Sequence, residues 1–448
     1  MATSRISPTT APDCFRRLES ARAHTDSLFE LLMPNSFYER PVAERHRLIF
    51  YLGHLEAFDW NLLSEPLGLK SSEPEFDKLF SFGIDPVGGG LPTDTPSDWP
   101  SIARVEQYNR SVRDALDEAL QYPSTAVSAK PELMDVRLLH VAIEHRLMHA
   151  ETLAYLLHNL PGEKKNRECA PVADPTRAPR PRQVTIPAGV ATLGRPRDSG
   201  FGWDNEFCEQ QVPVQSFSID VYPVTNHEYL KFVQAGGYQN SKFWRPEDWE
   251  WKNQQHLEHP HFWAPRSSSA PTDPDTEWEY RSMFGTIPLP ASWPVYVSHA
   301  EASGFARWAG RKLPTEAQWH RAAYGTPERK EREYPWGDAP PDGLRGNFHH
   351  VNWDAAPVDA YPAGASAFGV FDLLGNGWEW TSSPFGALPG FEPFSFYPGY
   401  SANFFDGRHY VMKGGSPRTD ACMLRRSFRN WFQPHYPYVY ATFRCVEE

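Results

Sequence analysis

The sequence predicts an α+β multidomain protein, with a four-helix bundle followed by a loop-rich α+β domain. Apolar residues recur at helical spacing through most of residues 1–161. A charged, proline-rich stretch over 162–182 then loses all periodicity and reads as a linker. From 183 to 448, short alternating runs and single short helices are set among Trp- and Pro-rich segments.

Residues 12–33 and 41–64 read as the first two helices, broken at Pro34–Ser36. Pro41 suits a first helical position, where its missing N–H costs nothing. Residues 66–100 are loop-rich, and a third helix is expected over about 101–121. The fourth, Asp135 to Pro161, has no Pro or Gly before its end, and Leu138, Val141, Leu147, Leu153, Leu156 and Leu157 share helical spacing. Within it sits H-x-x-x-H-x-E: His145, His149 and Glu151. Histidines four apart lie one above the other on a helix, so their imidazoles converge on one point, as metal chelation requires. Glu151 lies about 200° round from His149 and falls outside that pair. The competing reading is two core histidines satisfied by hydrogen bonds. On the second helix His54 falls among Phe50, Tyr51, Leu55 and Phe58 and is expected to face the interior, whereas His46 is expected on a solvated face. An interior His on the second helix and a pair on the fourth make a bundle with a three-histidine site.

In the second half, QVTIPAGVATLG alternates like a strand, and PVQSFSIDVYPVTNHEYLKFVQAGGY reads as a strand followed by a helix. Residues 240–295 read as long loops pinned by aromatics, while HAEASGFARWAG and RKLPTEAQWHRAAYG read as short helices.

Net charge is −12 with no basic run, which argues against nucleic acid or an anionic membrane as partner. No apolar stretch has the length of a signal peptide or a membrane span, so a cytoplasmic location is expected. Five cysteines (Cys14, Cys169, Cys208, Cys422 and Cys445) are scattered without a C-x-x-C, as in a reduced protein. Aromatics make up 14% of the chain, enough for a cation-binding aromatic pocket.

The stretches IPAG (Ile186–Gly189), GWDNE (Gly202–Glu206), PVTNHEYLKFV (Pro223–Val233), KLPTEAQW (Lys312–Trp319), GVFDLLGNGWEWT (Gly369–Thr381), KGGS (Lys413–Ser416) and FRNW (Phe428–Trp431) carry a resemblance. Residues 183–448 resemble the formylglycine-generating-enzyme-like (sulfatase-modifying-factor) domain, a C-type-lectin-like fold, and residues 1–161 look like a DinB-like bundle. That fusion resembles the non-heme iron sulfoxide synthases of ergothioneine biosynthesis and their selenoneine-forming relatives. The resemblance implies Fe(II) held by His54, His145 and His149, with O2 as co-substrate. It implies hercynine as substrate, whose quaternary ammonium an aromatic face such as Trp431 or Phe432 would hold. Core packing is the bland alternative for these rings. Asn430 would hydrogen-bond the betaine. A tyrosine near the metal supplies a proton in this family. Here Tyr397 is the nearer match and Tyr400 its neighbour.

Departures from the family bear on the chalcogen donor. Members that use γ-glutamylcysteine carry paired arginines after the second helix, but no arginine lies between Asp85 and Pro100 here. They also follow Asn-Trp with an acidic residue and an Arg, where this chain has NWFQPHYPY. Loss of both carboxylate-binding devices points to a selenosugar donor, with Phe432, Gln433, His435 and Tyr436 facing the sugar. Selenoneine synthesis is therefore the expected activity. The alternatives are sulfoxide synthesis with γ-glutamylcysteine or cysteine, a DinB-like metal-dependent thiol transferase, and a non-enzymatic lectin-like binding module. Copper-dependent formylglycine generation needs a cysteine pair after GGS, and only Cys422 is present. A structural Ca2+ at the GNGWEW block is a further expectation.

Overall fold

A computed structural model describes residues 11–81, 91–121, 136–166, 177–266 and 278–448. The chain divides into two compact units, Met1–Glu168 and Cys169–Glu448.

The first unit contains α1 (Ala11–Phe29), α2 (Leu48–Leu63), the short α3 (Pro74–Leu79), α4 (Ile102–Gln121) and α5 (Val136–His158). α5 packs on α1 and α2, and α2 also packs on α4. Residues 141–147 of α5 are buried in an unbroken run, so this helix is enclosed on every side.

α2 begins seven residues later than its sequence suggests. Residues 41–45 form bends and a turn, and Arg47 is extended at φ −65°, ψ 155°. The chain folds back so that the N–H groups of Leu48 and Ile49 bond to the carbonyls of Glu39 and Phe37, which satisfies the open donors of the helix start. His46 consequently lies before the helix, half-buried and stacked on Phe50 at 4.1 Å, rather than on a solvated helical face. The segment expected to be loop contains α3, with Pro74 at its start and Glu75 and Asp77 in its first turn, both suited to a helix N-terminus.

A buried ionic network joins all four long helices. Arg146 on α5 donates to Glu56 (3.0 Å), to Asp59 (2.6 Å) and to the Leu55 carbonyl (3.0 Å), all on α2. Arg113 on α4 bridges Glu56 (2.6 Å) and Asp26 of α1 (2.7 Å), and Arg22 of α1 reaches Asp117 of α4 (2.6 Å). Burial pushes the Glu56 carboxyl up, but Arg146, Arg113 and Arg22 outweigh it and hold the group well below the usual carboxylate range. At Asp59 burial wins and the pKa is raised.

The second unit carries β1 (Gln183–Ile186), β2 (Gly189–Leu193), β3 (Gln210–Val214), β4 (Phe217–Asp220), α6 (Asn226–Gln234), α7 (Pro246–Gln254), β5 (Trp263–Pro265), β6 (Trp278–Ser282), β7 (Gly285–Pro288), α8 (His299–Trp308), α9 (Glu316–Tyr324), β8 (Gly377–Pro384), β9 (Tyr410–Gly415), β10 (Asn430–Phe432), β11 (Ala441–Thr442) and β12 (Val446–Glu447). They form small sheets, ordered β1-β4-β12, β10-β9-β8-β11, β2-β3 and β5-β6-β7. α6, α8 and α9 each start with a reciprocal capping box, at Thr225/Glu228, Ser298/Glu301 and Thr315/Gln318. The first expected strand is two, parted at Pro187–Ala188, and residues 240–295 hold α7 and a three-stranded sheet instead of loops alone. Trp319 is fully buried in the core and donates to Glu379, which also pairs with the fully buried Arg444 at 2.6 Å. Among the described residues, no helix is long and apolar enough to cross a membrane.

Removing one member of a buried ion network leaves its partners uncompensated, at a cost of about 3–5 kcal/mol. Arg146→Met should therefore lower unfolding free energy by that amount in chemical denaturation. A loss below about 1 kcal/mol would contradict the assigned role of the network.

Candidate metal centre

α5 presents His145 and His149 one turn apart, and α2 presents His54 opposite them. One ring nitrogen from each lies within 4.8 Å of the others, and this is the one group of three or more His, Cys, Asp or Glu ligands among the described residues. Ring centroids are 5.3 Å apart for His54–His145, 4.9 Å for His54–His149 and 4.5 Å for His145–His149. All three side chains are buried. No carboxylate belongs to the group, in keeping with the position of Glu151.

His54 Nδ1 lies 2.7 Å from the Phe80 carbonyl. A carbonyl only accepts, so Nδ1 carries the proton and Nε2 keeps its lone pair. His54 Nε2, His145 Nδ1 and both nitrogens of His149 are buried without a hydrogen-bond partner. Burial lowers the His54 pKa to about 4, and burial followed by the neighbouring imidazoles holds His145 and His149 well below the usual value. At neutral pH the site is three uncharged imidazoles with unmet lone pairs. Leaving such atoms unpaired costs roughly 1–3 kcal/mol each, and a divalent cation removes that cost. The donor set fits a transition metal with open positions better than a closed structural zinc.

The walls are aromatic. Phe58 stacks on His145 at 3.4 Å, Phe50 on His54 at 4.8 Å, and the Tyr51 ring lies 5.7 Å from His149. Phe80 and Gly53 are functional positions that motif reading passes over. A Cβ on Gly53 would stand 2.7 Å from the Phe80 ring, so the missing side chain lets Phe80, at the end of α3, approach and bring its carbonyl to His54. A glycine in mid-helix is the one sequence signal of this contact.

In the second unit the expected substrate residues fall into two groups, because successive strand residues face opposite ways. Trp431 stacks on Phe385 at 4.1 Å and meets Tyr400 at 5.5 Å, and Tyr397 lies 5.6 Å from Tyr400. Tyr400 also stacks on Trp203 at 3.9 Å. Burial, then Asp204, raises the Tyr397 pKa to about 12. Phe432 instead stacks on Tyr436 at 5.0 Å, while His435 stacks on Trp251 at 4.6 Å and pairs with Asp248 at 2.9 Å. Gln433 is exposed, and the Asn430 side-chain carbonyl accepts the Trp431 N–H at 2.8 Å.

The expected Ca2+ finds no acidic cage at GNGWEW among the described residues. Burial pushes the Asp372 carboxyl well above its usual range and so favours the protonated form. Asp372 accepts from Asn376 at 2.6 Å, directly before the chain enters β8 at Gly377. Cys422 is half-buried, and Cys445 is fully enclosed.

Loss of an outer partner of a metal-binding histidine typically weakens metal affinity ~10–100-fold. Gly53→Ala, although alanine favours helix, should weaken metal binding on that scale in an equilibrium titration. Affinity within about twofold of wild type would refute the Phe80 contact as a positioning device.

Residues 170–448 match the family described as the sulfatase-modifying factor enzyme 1-like domain. The chain is 37% identical over 350 residues to the hercynine oxygenase of Mycobacterium tuberculosis, covering 77% of this chain and 78% of that one. It is 33% identical over 390 residues to the hercynine oxygenase of Mycolicibacterium thermoresistibile, covering 84% and 80%. With ergothioneine biosynthesis protein 1 of Neurospora crassa it shares 27% identity over 547 aligned positions, covering all of this chain and 60% of that one. Built on a sulfatase-modifying factor enzyme 1-like domain, the chain belongs to the family that contains these hercynine oxygenases and ergothioneine biosynthesis proteins.

Proposed function

We propose that the protein is an Fe(II)- and O2-dependent oxidoreductase that joins a thiol to the imidazole carbon of hercynine, as an ergothioneine-pathway sulfoxide synthase. The observation that carries this reading is the buried set of three neutral imidazoles, each with a ring nitrogen that meets no hydrogen-bond partner. The names of the relatives support the substrate and the sulfur chemistry. The first unit is proposed to be a DinB-like bundle.

His54, His145 and His149 would hold the metal. Bound there, iron would activate O2 and offer positions for a substrate nitrogen and the chalcogen. The Phe80 carbonyl fixes which nitrogen of His54 faces inward. Phe50 and Phe58 cover imidazole faces and limit water access. Trp431 has one face against Phe385, and its other face is the proposed seat of the quaternary ammonium. The Asn430 amide N–H groups are proposed to donate to the betaine carboxylate. Tyr397, which holds its proton at neutral pH, is the proposed proton donor, with Tyr400 in reserve.

A second reading, selenoneine synthesis from a selenosugar, is favoured by one observation. Arg40 and Arg47 both reach the segment after α2, but both are engaged by Asp94 there. Neither guanidinium is free for a donor carboxylate. The residues proposed for the sugar are Phe432, Gln433, His435 and Tyr436.

An aerobic assay with Fe(II), hercynine and competing cysteine, γ-glutamylcysteine and selenosugar, read by mass spectrometry, tests both readings. Preferred formation of the sulfoxide from a thiol is the expected result. A selenosugar product that dominates at equal donor concentration would replace the first reading by the second. Turnover without O2 would exclude both and favour a thiol transferase.

A further inference from the structure

β10 supplies Asn430 and Trp431, yet it is three residues long and all three are part-exposed, so pairing with β9 leaves the plane of the indole to be set by its neighbours. Trp431 lies flat on the buried Phe385, at 4.1 Å and 7°. Tyr400 and Phe404 meet it at 5.5 and 5.6 Å, but at angles of 79° and 48°, so only Phe385 is parallel to it among these rings. Phe385 in turn touches a cation: the Arg429 guanidinium lies over its ring, with the central carbon 5.0 Å from the centroid.

Arg429 is 4% exposed, and its whole guanidinium fork is directed. Nε and one terminal nitrogen donate to the two oxygens of Glu316, at 3.0 and 3.1 Å, and the other terminal nitrogen donates to the Gly386 carbonyl at 2.9 Å. Glu316 is the buried first residue of α9. Burial pushes its carboxyl up, but Arg429 and then Lys413 outweigh it and hold the group below its ordinary value. Gly386 follows Phe385 in the chain, so one guanidinium holds both the ring and the backbone beside it. A well-packed apolar pair of similar volume would be about as stable as this buried ion pair. It would lack direction, which the planar fork and its paired bonds to a carboxylate provide.

On the hercynine reading of the site, on which this rests, we infer that Arg429, clamped by Glu316, is a positioning residue for the substrate's quaternary ammonium. It acts through Phe385: the guanidinium fixes the phenyl ring, the ring fixes the indole stacked on it, and the outer face of Trp431 is thereby turned to the cation. The attraction of an aromatic ring for a cation lies along the normal to its plane, so an indole that tilts loses it. A primary ammonium has N–H groups that can find other acceptors, whereas a trimethylated one has none and depends on the face. The plane of Trp431 therefore governs the choice between hercynine and histidine, which share the imidazole and the carboxylate and differ only in those methyl groups.

Anaerobic titration of the Fe(II)-loaded full-length protein with hercynine and with histidine tests this through the ratio of the two dissociation constants. The wild type should favour hercynine. Arg429→Lys, which keeps the charge but loses the planar fork, should lower that preference roughly three- to tenfold. Glu316→Gln, which loosens the fork without emptying its place, should do the same, as should Phe385→Leu. A general loosening of the domain would instead weaken both ligands alike. The double variant Arg429→Lys/Phe385→Leu should lose no more preference than Phe385→Leu alone, because the two residues act in series through one ring. Wild-type preference in both Arg429→Lys and Glu316→Gln, or losses that add in the double variant, would overturn the role of Arg429 and leave the hercynine reading standing. A wild-type protein with no preference for hercynine over histidine would overturn that reading, and this role with it.

Discussion

The contact on which the bundle depends is the fully buried Arg146 guanidinium held by Glu56 and Asp59. Arg146 adjoins His145 in sequence, and Glu56 lies two residues from His54. The ion network therefore sets both the rotation of α2 and its position along α5, and with them the distance between His54 and the α5 pair. A slide of one turn would strand buried charges, and the cost of an unpaired buried charge far exceeds what apolar packing alone would exact. Apolar side chains tolerate small shifts in register; these arginines do not.

The imidazole cluster is held away from its best state by the same enclosure. Aromatic rings exclude water, the low dielectric keeps the histidines neutral, and their lone pairs find no protein donor. Burial on this pattern couples metal binding to bundle stability, because the cation restores what desolvation removed.

Much of this was legible from residue order. The unbroken apolar period of α5 and the four-residue spacing of its histidines are local features, and the structure keeps them. The late start of α2 was hidden because it follows from Leu48 and Ile49 bonding to carbonyls that precede them in a folded-back loop. Phe80 and Gly53 meet across a gap of 27 residues, which no periodicity reveals. The partition of Trp431 from Phe432 needed only strand alternation, but a three-residue strand inside NWFQPHYPY is too short to recognise by pattern.

Iron K-edge X-ray absorption on the anaerobically Fe(II)-loaded protein tests the three-histidine centre most directly. The account predicts one iron per chain with three imidazole nitrogens in its coordination shell, lost on His54→Ala, His145→Ala or His149→Ala and retained on His46→Ala and on substitution of His140, which lies on α5 outside the cluster with its ring against Cys14. Stoichiometric iron with an unchanged imidazole shell in His54→Ala would contradict it.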